Sequence, residues 1–373
     1  MIEPGCDSRW RIASGHSRPE RPVVVLNVRK RPVGLTAALD STMEEPMKIL
    51  VTARLSDDVV SLIEQDHEVE MNRENRPMER GALLAGIAGK QGVLCSISDR
   101  VDEEFLALAP GLKIIANFGV GFDHIDIAAA SRRGIPVTYT PGVLTDATAD
   151  IAFALILAVS RRVVEGDRMT REGGFRFWAP FHFLGRQVSG KTLGIVGMGR
   201  IGEAVARRAA GFDMKIVYHG RNRLDPADEQ RLRARYLPLH ELLREADFVS
   251  LHVPLTTETR HLIGLEELRL MKPSAVLINT SRGPVVNEAA LVEALQEGRI
   301  GGAGLDVYEN EPELAAGLSG LENVVLLPHV GSATIETRTK MALMAVENLL
   351  VGLRGEQPPN CLNWSSVMGV KGR

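Results

Sequence analysis

The 373-residue chain has little cysteine, few aromatic residues and no large excess of either charge. Its three cysteines, Cys6, Cys95 and Cys361, are isolated and lack the spacing of a disulfide framework, a metal site or a redox motif. The formal net charge of −3 argues against a nucleic-acid-binding surface and against a polybasic membrane patch. The longest apolar run, residues 151–159, is too short to span a membrane. We therefore expect a cytoplasmic protein with no nucleic-acid partner, no membrane association and no bound metal.

The overall composition is ordinary for a globular protein, with 45% hydrophobic and 24% charged residues. The length allows about two domains. Residues 1–46 differ from the rest because they are rich in Arg, Pro and Ser, and they have neither the apolar core of a secretion signal nor the acid-poor composition of a transit peptide. We expect a disordered extension there, and the folded pattern begins at Met47.

Residues 192–210 contain the most informative pattern of the chain. A short apolar run, residues 193–196, is followed by Gly197-x-Gly199-x-x-Gly202 and then by a segment with helical periodicity. In a dinucleotide-binding turn the first glycine makes the tight turn, the second lets the pyrophosphate approach, and the third lets the helix pack on the strand. A lone glycine triplet is a weak signal, but strand, triplet and helix occur here in the required order. The pattern predicts a dinucleotide-binding fold.

Short apolar segments alternate with helical segments along both halves of the chain, which predicts two doubly wound parallel sheets in an α/β protein. We expect a flavodoxin-like substrate domain, a Rossmann-type NAD(P)-binding domain and an active-site cleft between them. The predicted bounds are residues 47–145 plus 334–360 for the substrate domain and 146–333 for the NAD(P)-binding domain, with a tail at 361–373. The predicted strands are 48–51, 92–95, 113–116 and 137–139 in the first domain, and 193–196, 215–218, 247–251, 275–278, 303–307 and 324–327 in the second.

An unusual cluster of aromatic residues lies at 173–185, between a nearly all-apolar helix at 145–160 and the glycine motif. The cluster has little periodicity, so it can be a loop folded onto its own domain. Exposed aromatic patches often mark interfaces between proteins. We therefore interpret residues 165–187 as a dimerisation loop and expect a homodimer.

The turn after the second strand of the cofactor domain bears on the choice of nicotinamide cofactor. An NAD site places a carboxylate there to bind the ribose hydroxyls, about 20 residues beyond the glycines. This chain instead has Gly220, Arg221, Asn222 and Arg223. Guanidinium groups bind a 2′-phosphate, which a carboxylate repels. The turn favours NADP(H), while solvated arginines and a relaxed specificity that admits NAD(H) remain the alternative.

Three further motifs follow predicted strands, at the sheet edge where an open α/β fold binds its ligands. They contain Arg282, Glu311 and His329, respectively. Each residue alone has an ordinary explanation as a surface charge, a solvated acid or a turn histidine. Together with the upstream glycine turn they form a specific set.

With these motifs the sequence resembles the D-isomer-specific 2-hydroxyacid dehydrogenases, and among them the glyoxylate/hydroxypyruvate reductases. The resemblance covers roughly residues 47–360 and includes the loop motif NFGVGFDHID (117–126) and the interdomain stretch YTPGVLTDATAD (139–150). The FWAP segment (177–180) and the GRNR turn (220–223) are similar to the glyoxylate reductase branch, which favours NADPH. The departures, an N-terminal extension and a C-terminal tail, touch none of the motifs.

The resemblance implies catalytic roles that reduction of a 2-keto acid also requires. Arg282 is the anchor for the substrate carboxylate, which a guanidinium can bind bidentately. His329 is the proton donor, and Glu311 pairs with it, fixes its tautomer and favours its charged form. The backbone N–H groups of Val120 and Gly121 hold the substrate carboxylate. Ser98 is a further candidate for the substrate pocket.

The resemblance also implies the cofactor contacts. Residues 198–201 lie under the pyrophosphate, and the side chains of Thr148, Thr280 and Asp306 reach toward the nicotinamide. Asp306 can equally be a carboxylate that caps the turn after its strand. No metal is required for these roles. The full set of predicted cofactor-binding residues is Thr148, Gly197, Met198, Gly199, Arg200, Ile201, Gly202, Arg221, Asn222, Arg223, Thr280, Ser281, Asp306 and Gly331.

We therefore predict an NADPH-dependent enzyme that reduces a small 2-keto acid, glyoxylate or hydroxypyruvate, to the D-2-hydroxy acid. A 2-ketogluconate reductase stays open, because small differences between substrates change binding by only about 1–3 kcal/mol. A phosphite or formate dehydrogenase of the same fold is a second alternative; formate enzymes use a Gln-His pair, against which Glu311 argues. A dinucleotide-sensing corepressor of the same fold is the third alternative.

Overall fold

The computed structural model describes residues 45–371, so the predicted N-terminal extension lies outside the described residues except for its last two positions. The first half of the described chain builds a five-stranded parallel sheet in the order β2-β1-β3-β4-β5. Its apolar strands are buried on both faces, as all-parallel sheets require. The strands are β1 (Lys48–Val51), β2 (Glu68–Met71), β3 (Gly92–Ser96), β4 (Ile114–Phe118) and β5 (Val137–Thr138).

Helices cover both faces of this sheet. Four of them connect its strands: α1 (Asp57–Glu64), α2 (Arg80–Ile87), α3 (Glu103–Ala107) and α4 (Ile127–Arg132). A fifth, α12 (Ile335–Leu353), comes from the far end of the sequence and packs against β4, β3 and α1. Its buried residues, among them Met341, Ala345 and Leu349, share one apolar cluster with β1 and β4. The sheet is therefore completed by chain that follows the second half of the molecule.

The second half builds a seven-stranded parallel sheet in the order β12-β11-β10-β9-β6-β7-β8. The order reverses at β6, which gives the topological switch point at which doubly wound sheets bind ligands. The strands are β6 (Thr192–Val196), β7 (Lys215–His219), β8 (Ala234–Tyr236), β9 (Phe248–Leu251), β10 (Val276–Asn279), β11 (Gly302–Leu305) and β12 (Val324–Leu326). The predicted fold class, two parallel-sheet α/β units, is confirmed.

The helices of this half lie on both faces of its sheet. The long apolar helix α5 (Thr145–Ser160) has the bounds expected from the sequence and packs against β10, β11 and the helix after the glycine motif. The remaining helices are α6 (Val163–Arg171), α7 (Arg200–Ala210), α8 (Pro226–Leu232), α9 (Leu239–Glu245), α10 (Leu265–Leu270) and α11 (Glu288–Gln296). None of the helices in residues 45–371 is both long and apolar enough to cross a membrane.

Two strands, β2 in the first sheet and β8 in the second, were not predicted. With β8 the second sheet has seven strands where about six were expected. Both missed strands lie at a sheet edge, and both are short. Strand β2 reads Glu-Val-Glu-Met, with alternating exposure that lacks the continuous apolar run of the inner strands. Edge strands are exposed on one side and therefore carry a weaker apolar signal.

The segment expected to be a tail after residue 360 is instead folded against the first sheet. Its helix α13 (Trp364–Lys371) packs against α4. The buried amide of Asn363 accepts a hydrogen bond from the Val137 N–H at 2.8 Å and donates to the Ile135 carbonyl at 3.0 Å. These bonds satisfy backbone groups at and just before the edge strand β5, beside which Cys361 forms an antiparallel bridge with Thr138.

Candidate active site

A cavity of about 430 Å³ lies between the two sheets and is lined by residues from both halves of the described chain. From the five-stranded half come the loop after β4 and the first turns of α12. From the seven-stranded half come the turns after β6, β9, β10 and β11 and the turn around His329. These turns follow the carboxyl ends of parallel strands, where an open α/β sheet exposes its binding crevice.

The turn after β6 has the geometry that a dinucleotide pyrophosphate needs. Gly197 has a φ of +100° and lies so close to β9 that a Cβ would stand 2.7 Å from the His252 carbonyl carbon. Gly202 packs against Gly197, and a Cβ there would overlap the Gly197 carbonyl oxygen. Gly199, at the N-terminus of α7, has no atom within 4 Å of the place a Cβ would occupy. An open approach to free N–H groups at a helix N-terminus suits an anion.

A second observation fits a dinucleotide at this place. The hydroxyl of Thr280 is buried, lines the cavity and has no hydrogen-bond partner within the described protein. Buried polar atoms are normally paired, so an unpaired one that faces a cavity indicates a ligand contact. The residues present at this place therefore fit a nicotinamide dinucleotide.

The arginine turn after β7 lies outside the cavity lining and is exposed. Arg223 is held by Glu229, with 2.8 and 2.9 Å between its Nε and Nη2 atoms and the two carboxylate oxygens. Hydrogen bonds from Arg223 and Tyr218 lower the pKa of Glu229 to about 2. Arg221 has no ion pair within 4.0 Å in the part of the chain that the structure describes. The two arginines of this turn are therefore not equivalent.

Arg282 enters the cavity from the turn after β10. Asn279, the last residue of that strand, donates to the Arg282 carbonyl at 2.9 Å and accepts from the Ser281 N–H at 3.1 Å. The guanidinium Nε donates to Asp123 at 2.8 Å, and Nη1 donates to the Ser281 carbonyl at 2.9 Å. Nη2 lies so close to Gly121 that a Cβ there would overlap it.

Glu311 and His329 form a pair at the same end of the sheet. The Nδ1 atom of His329 lies 2.8 Å from Glu311 Oε2, and the other carboxylate oxygen accepts from the Tyr308 N–H at 3.0 Å. Burial raises the pKa of Glu311, but the hydrogen bond and the charge of His329 outweigh burial and leave the pKa below its usual value. His329 lines the cavity, whereas Glu311 stands behind it.

The backbone around His329 is held in an unusual conformation. Its φ is +54°, in the left-handed region that non-glycine residues seldom adopt. Asp306 accepts hydrogen bonds from the next two residues, the N–H groups of Val330 and Gly331, both at 2.7 Å. Burial raises the pKa of Asp306, and these two backbone bonds oppose that increase. Asp306 thus holds the turn around His329, which follows β12, and not the turn after its own strand; it also lines the cavity.

The loop after β4 presents the backbone of Val120 and Gly121 to the cavity. The buried side-chain amide of Asn117 holds this loop by donating to the carbonyls of Gly119 and Gly121 at 3.2 and 2.8 Å. Ser98, the further pocket candidate, is exposed and does not line the cavity; Ser96 and Ile97 line it instead.

The structure places most of the sequence-predicted site residues at one cleft. Those that line the cavity are Thr148, Gly199, Arg200, Ile201, Thr280, Ser281, Asp306, Gly331, Val120, Gly121, Arg282 and His329. Gly197, Met198 and Gly202 lie beneath the turn, and Arg221, Asn222 and Arg223 lie outside the cavity. Within residues 45–371 no cluster of His, Cys, Asp or Glu is arranged to hold a metal ion.

Several cavity residues were not predicted. His252 follows β9 directly, so the strand-end rule applied to the other motifs would have found it; its burial lowers its pKa to about 3. Arg338 reaches the cavity from α12, stacked over the Phe118 ring at 5.7 Å, and burial lowers its pKa despite the opposing charge of Asp306. Asp123, which pairs with Arg282, lies inside the loop motif 117–126, and no local pattern predicts that pairing.

Comparisons with known proteins agree with this geometry. Residues 153–331 match the family model described as "D-isomer specific 2-hydroxyacid dehydrogenase, NAD binding domain". The glyoxylate reductase of Thermococcus litoralis is 52% identical over 320 residues, which cover 85% of this chain and 96% of that protein. The glyoxylate reductase of Pyrococcus furiosus is 49% identical over 85% of this chain and 95% of its own length.

Solved structures show the same fold. A Thermus thermophilus protein has a TM-score of 0.79 at 49% identity, covering 85% of this chain and 100% of that one. An NADPH-dependent glyoxylate/hydroxypyruvate reductase of Sinorhizobium meliloti, solved with NADP and malonate, has a TM-score of 0.76 at 34% identity, covering 86% and 98% of the two chains. The cavity between the sheets, the glycine turn and these relatives agree, and the chain belongs to the D-isomer-specific 2-hydroxyacid dehydrogenases.

Proposed function

We propose that this dehydrogenase reduces glyoxylate, and hydroxypyruvate as a close analogue, to the D-2-hydroxy acid with NADPH as the preferred cofactor. The observation that carries the proposal is that Arg282 and His329 line one cavity together with the open glycine turn at Gly199. The curated relatives at about half identity are glyoxylate reductases. A small 2-keto acid needs an anchor for its carboxylate and a proton donor for its carbonyl oxygen, and this cavity offers both.

Arg282 anchors the substrate through a limited set of its donors. Its Nε is bonded to Asp123 and its Nη1 to the Ser281 carbonyl, so the side-on fork of Nε and Nη2 is not free to bind a carboxylate. Nη2 and the second N–H of Nη1 remain, and Nη2 lies beside Gly121, where the Val120 and Gly121 N–H groups can bind the same anion. The carboxylate is therefore shared between the open edge of the guanidinium and a backbone loop.

His329 donates the proton. Glu311 accepts the Nδ1–H and so leaves Nε2 as the ring nitrogen that can face the substrate carbonyl. The protonated imidazole is the form that can give a proton during reduction. Asp306 fixes the turn that carries the ring by holding two N–H groups of that turn.

The cofactor site lies at the turn after β6. When bound, the reduced nicotinamide supplies the hydride. The N-terminus of α7 binds the pyrophosphate, and Thr148, Thr280 and Ser281 line the cavity beyond it. Arg221 binds the 2′-phosphate, since Arg223 is already engaged by Glu229.

The two halves of the molecule have different roles. The half containing residues 146–333 holds the dinucleotide, and the half containing residues 47–145 with 334–360 closes on the substrate. The exposed aromatic side chains of the 165–187 loop, with Phe181 at 87% and Trp178 at 80% exposure, form the contact of a cytoplasmic homodimer.

A steady-state screen tests the function. Purified protein is mixed with NADPH or NADH and a dozen small 2-keto acids, and cofactor oxidation is followed by absorbance. We expect glyoxylate and hydroxypyruvate to be reduced and NADPH to give the higher kcat/KM. Arg282→Gln should abolish the activity, while Arg299→Gln, which removes a surface arginine paired with Glu297, should not. Lack of reduction of every keto acid by the wild-type protein would refute the proposal.

A further inference from the structure

The ion pair between Asp123 and Arg282 joins the two halves of the molecule across the substrate cavity. Asp123 lies in the loop after β4, and Arg282 follows β10, so the pair links segments 159 residues apart. Within residues 45–371 it is the single ion pair at or below 4.0 Å that connects the five-stranded half with the seven-stranded half. Both side chains are partly withdrawn from water, at 32% and 19% exposure. The contact is therefore more than a surface pair.

Both ends of the loop that carries Asp123 are fixed. On one side the Asn117 amide holds the carbonyls of Gly119 and Gly121. On the other side Asp126 caps α4 by accepting from the Ala129 N–H at 2.8 Å. Because the loop is held at both ends, the position of the Asp123 carboxylate is fixed by its own half of the molecule and not by Arg282.

The partner atoms show what the carboxylate does to the guanidinium. With Nε bonded to Asp123 and Nη1 bonded to the Ser281 carbonyl, the plane of the guanidinium is set by two contacts from different halves of the molecule. Nη2 is then directed at Gly121, where only a glycine leaves room for it. Without Asp123 the Arg282 side chain keeps one polar contact and several open rotamers.

We propose that Asp123 is a positioning residue that closes the cleft onto Arg282 and sets the guanidinium for the substrate. The same bond thus does two things: it favours the closed arrangement of the halves, and it aims Nη2 at the carboxylate loop. The aiming part rests on the proposed function, whereas the closing part does not. The interaction also affects the pKa of Asp123. Burial raises this pKa, but the charge and the hydrogen bond of Arg282 outweigh burial and leave it below its usual value.

Three variants test the proposal: Asp123→Ala, Asp123→Asn and the control Glu103→Gln, which removes an exposed ion pair within the five-stranded half. We measure KM and kcat for glyoxylate, hydrogen exchange of residues 119–123 without any ligand, and the radius of gyration by small-angle scattering. For Asp123→Ala we expect a KM raised about tenfold or more, with faster exchange of the loop and a larger radius. Asp123→Asn keeps an oxygen acceptor for Nε–H and should recover part of each change. The control should match the wild type.

The outcomes separate the two proposals. Wild-type KM, exchange and radius in Asp123→Ala would overturn the inference. If the wild-type protein reduces no keto acid, the proposed function fails, and exchange and scattering still decide whether the ion pair closes the cleft. Should Asp123→Ala not fold, the Asp123→Asn protein is used, and unchanged loop exchange together with unchanged KM in that variant would overturn the inference. A merely structural role would lower Tm in both variants without moving KM relative to kcat.

Discussion

Two glycines of the turn after β6 should respond in opposite ways to the same substitution. In Gly199→Ala the new methyl group has no protein atom within 4 Å and the residue has a φ of −88°, which alanine adopts freely. In Gly202→Ala the methyl group overlaps the Gly197 carbonyl oxygen and lies 3.1 Å from Ile195 Cγ2. The position of Gly199 thus has room for a methyl group in the protein without cofactor, whereas the position of Gly202 does not.

The magnitudes follow from these surroundings. For Gly199→Ala the weaker helix cap and the less flexible unfolded chain nearly cancel, so the free energy of unfolding changes by less than about 1 kcal/mol. For Gly202→Ala the new Cβ would stand 2.3 Å from a backbone oxygen, so the overlap costs about 2–3 kcal/mol, from which the better helix propensity of alanine returns about 1 kcal/mol. A net loss of about 1–2 kcal/mol lowers Tm by roughly 2–8 °C in a domain of this size. The methyl group at Gly199 instead occupies the approach of the pyrophosphate.

The assay combines thermal unfolding with titration of NADPH and NADH. We expect Gly199→Ala to keep a Tm near the wild type and to lose dinucleotide affinity by about tenfold or more, since backbone approach is what the glycine permits. Gly202→Ala should lose Tm. Gly81→Ala, at an open position in α2 far from the cavity, controls for the methyl group itself. Wild-type affinity in Gly199→Ala would show that the dinucleotide does not lie on this turn.

Three other predictions concern the remaining parts of the site. Glu311→Gln removes the carboxylate that accepts the His329 Nδ1–H, so kcat for reduction should fall by about tenfold or more; an unchanged kcat would exclude that role. Arg221→Ser should reduce the preference for NADPH, measured as kcat/KM with NADPH divided by kcat/KM with NADH, more than Arg223→Ser does, because Arg223 is paired with Glu229. Equal effects would mean that Arg223 leaves Glu229 to bind the cofactor. Phe181→Asp should shift the protein from dimer to monomer in analytical ultracentrifugation, and an unchanged mass would place the interface elsewhere.

The parts of the molecule that the sequence predicts are those that depend on local pattern. The strand, turn and helix from β6 to α7 are local, since each glycine is needed by neighbours within a few residues or by one adjacent strand. The bounds of α5 likewise follow from one continuous apolar segment. Arg282, Glu311 and His329 could be placed together because parallel strands end at one edge of their sheet.

The parts that the sequence does not predict depend on contacts between distant segments. The pairing of Asp123 with Arg282 and the bonds of Asn363 to β5 join residues far apart in the chain, and no local pattern announces them. The edge strands β2 and β8 have too few apolar residues to stand out from loops. Arg223 illustrates a different cause: the turn sequence shows two arginines, and the pairing of one of them depends on Glu229 in the helix α8 that follows.

The return of the chain through α12 to the first sheet constrains how the molecule is made and how it moves. Because α12 packs on β3 and β4, which precede residue 140, part of that sheet remains uncovered on the ribosome until residues 335–353 have emerged. The backbone also passes between the halves twice, ahead of α5 and again ahead of α12. A twofold tether of this kind permits bending about the line that joins the two passages and resists twisting around it, so opening and reclosing bring the same faces back into register.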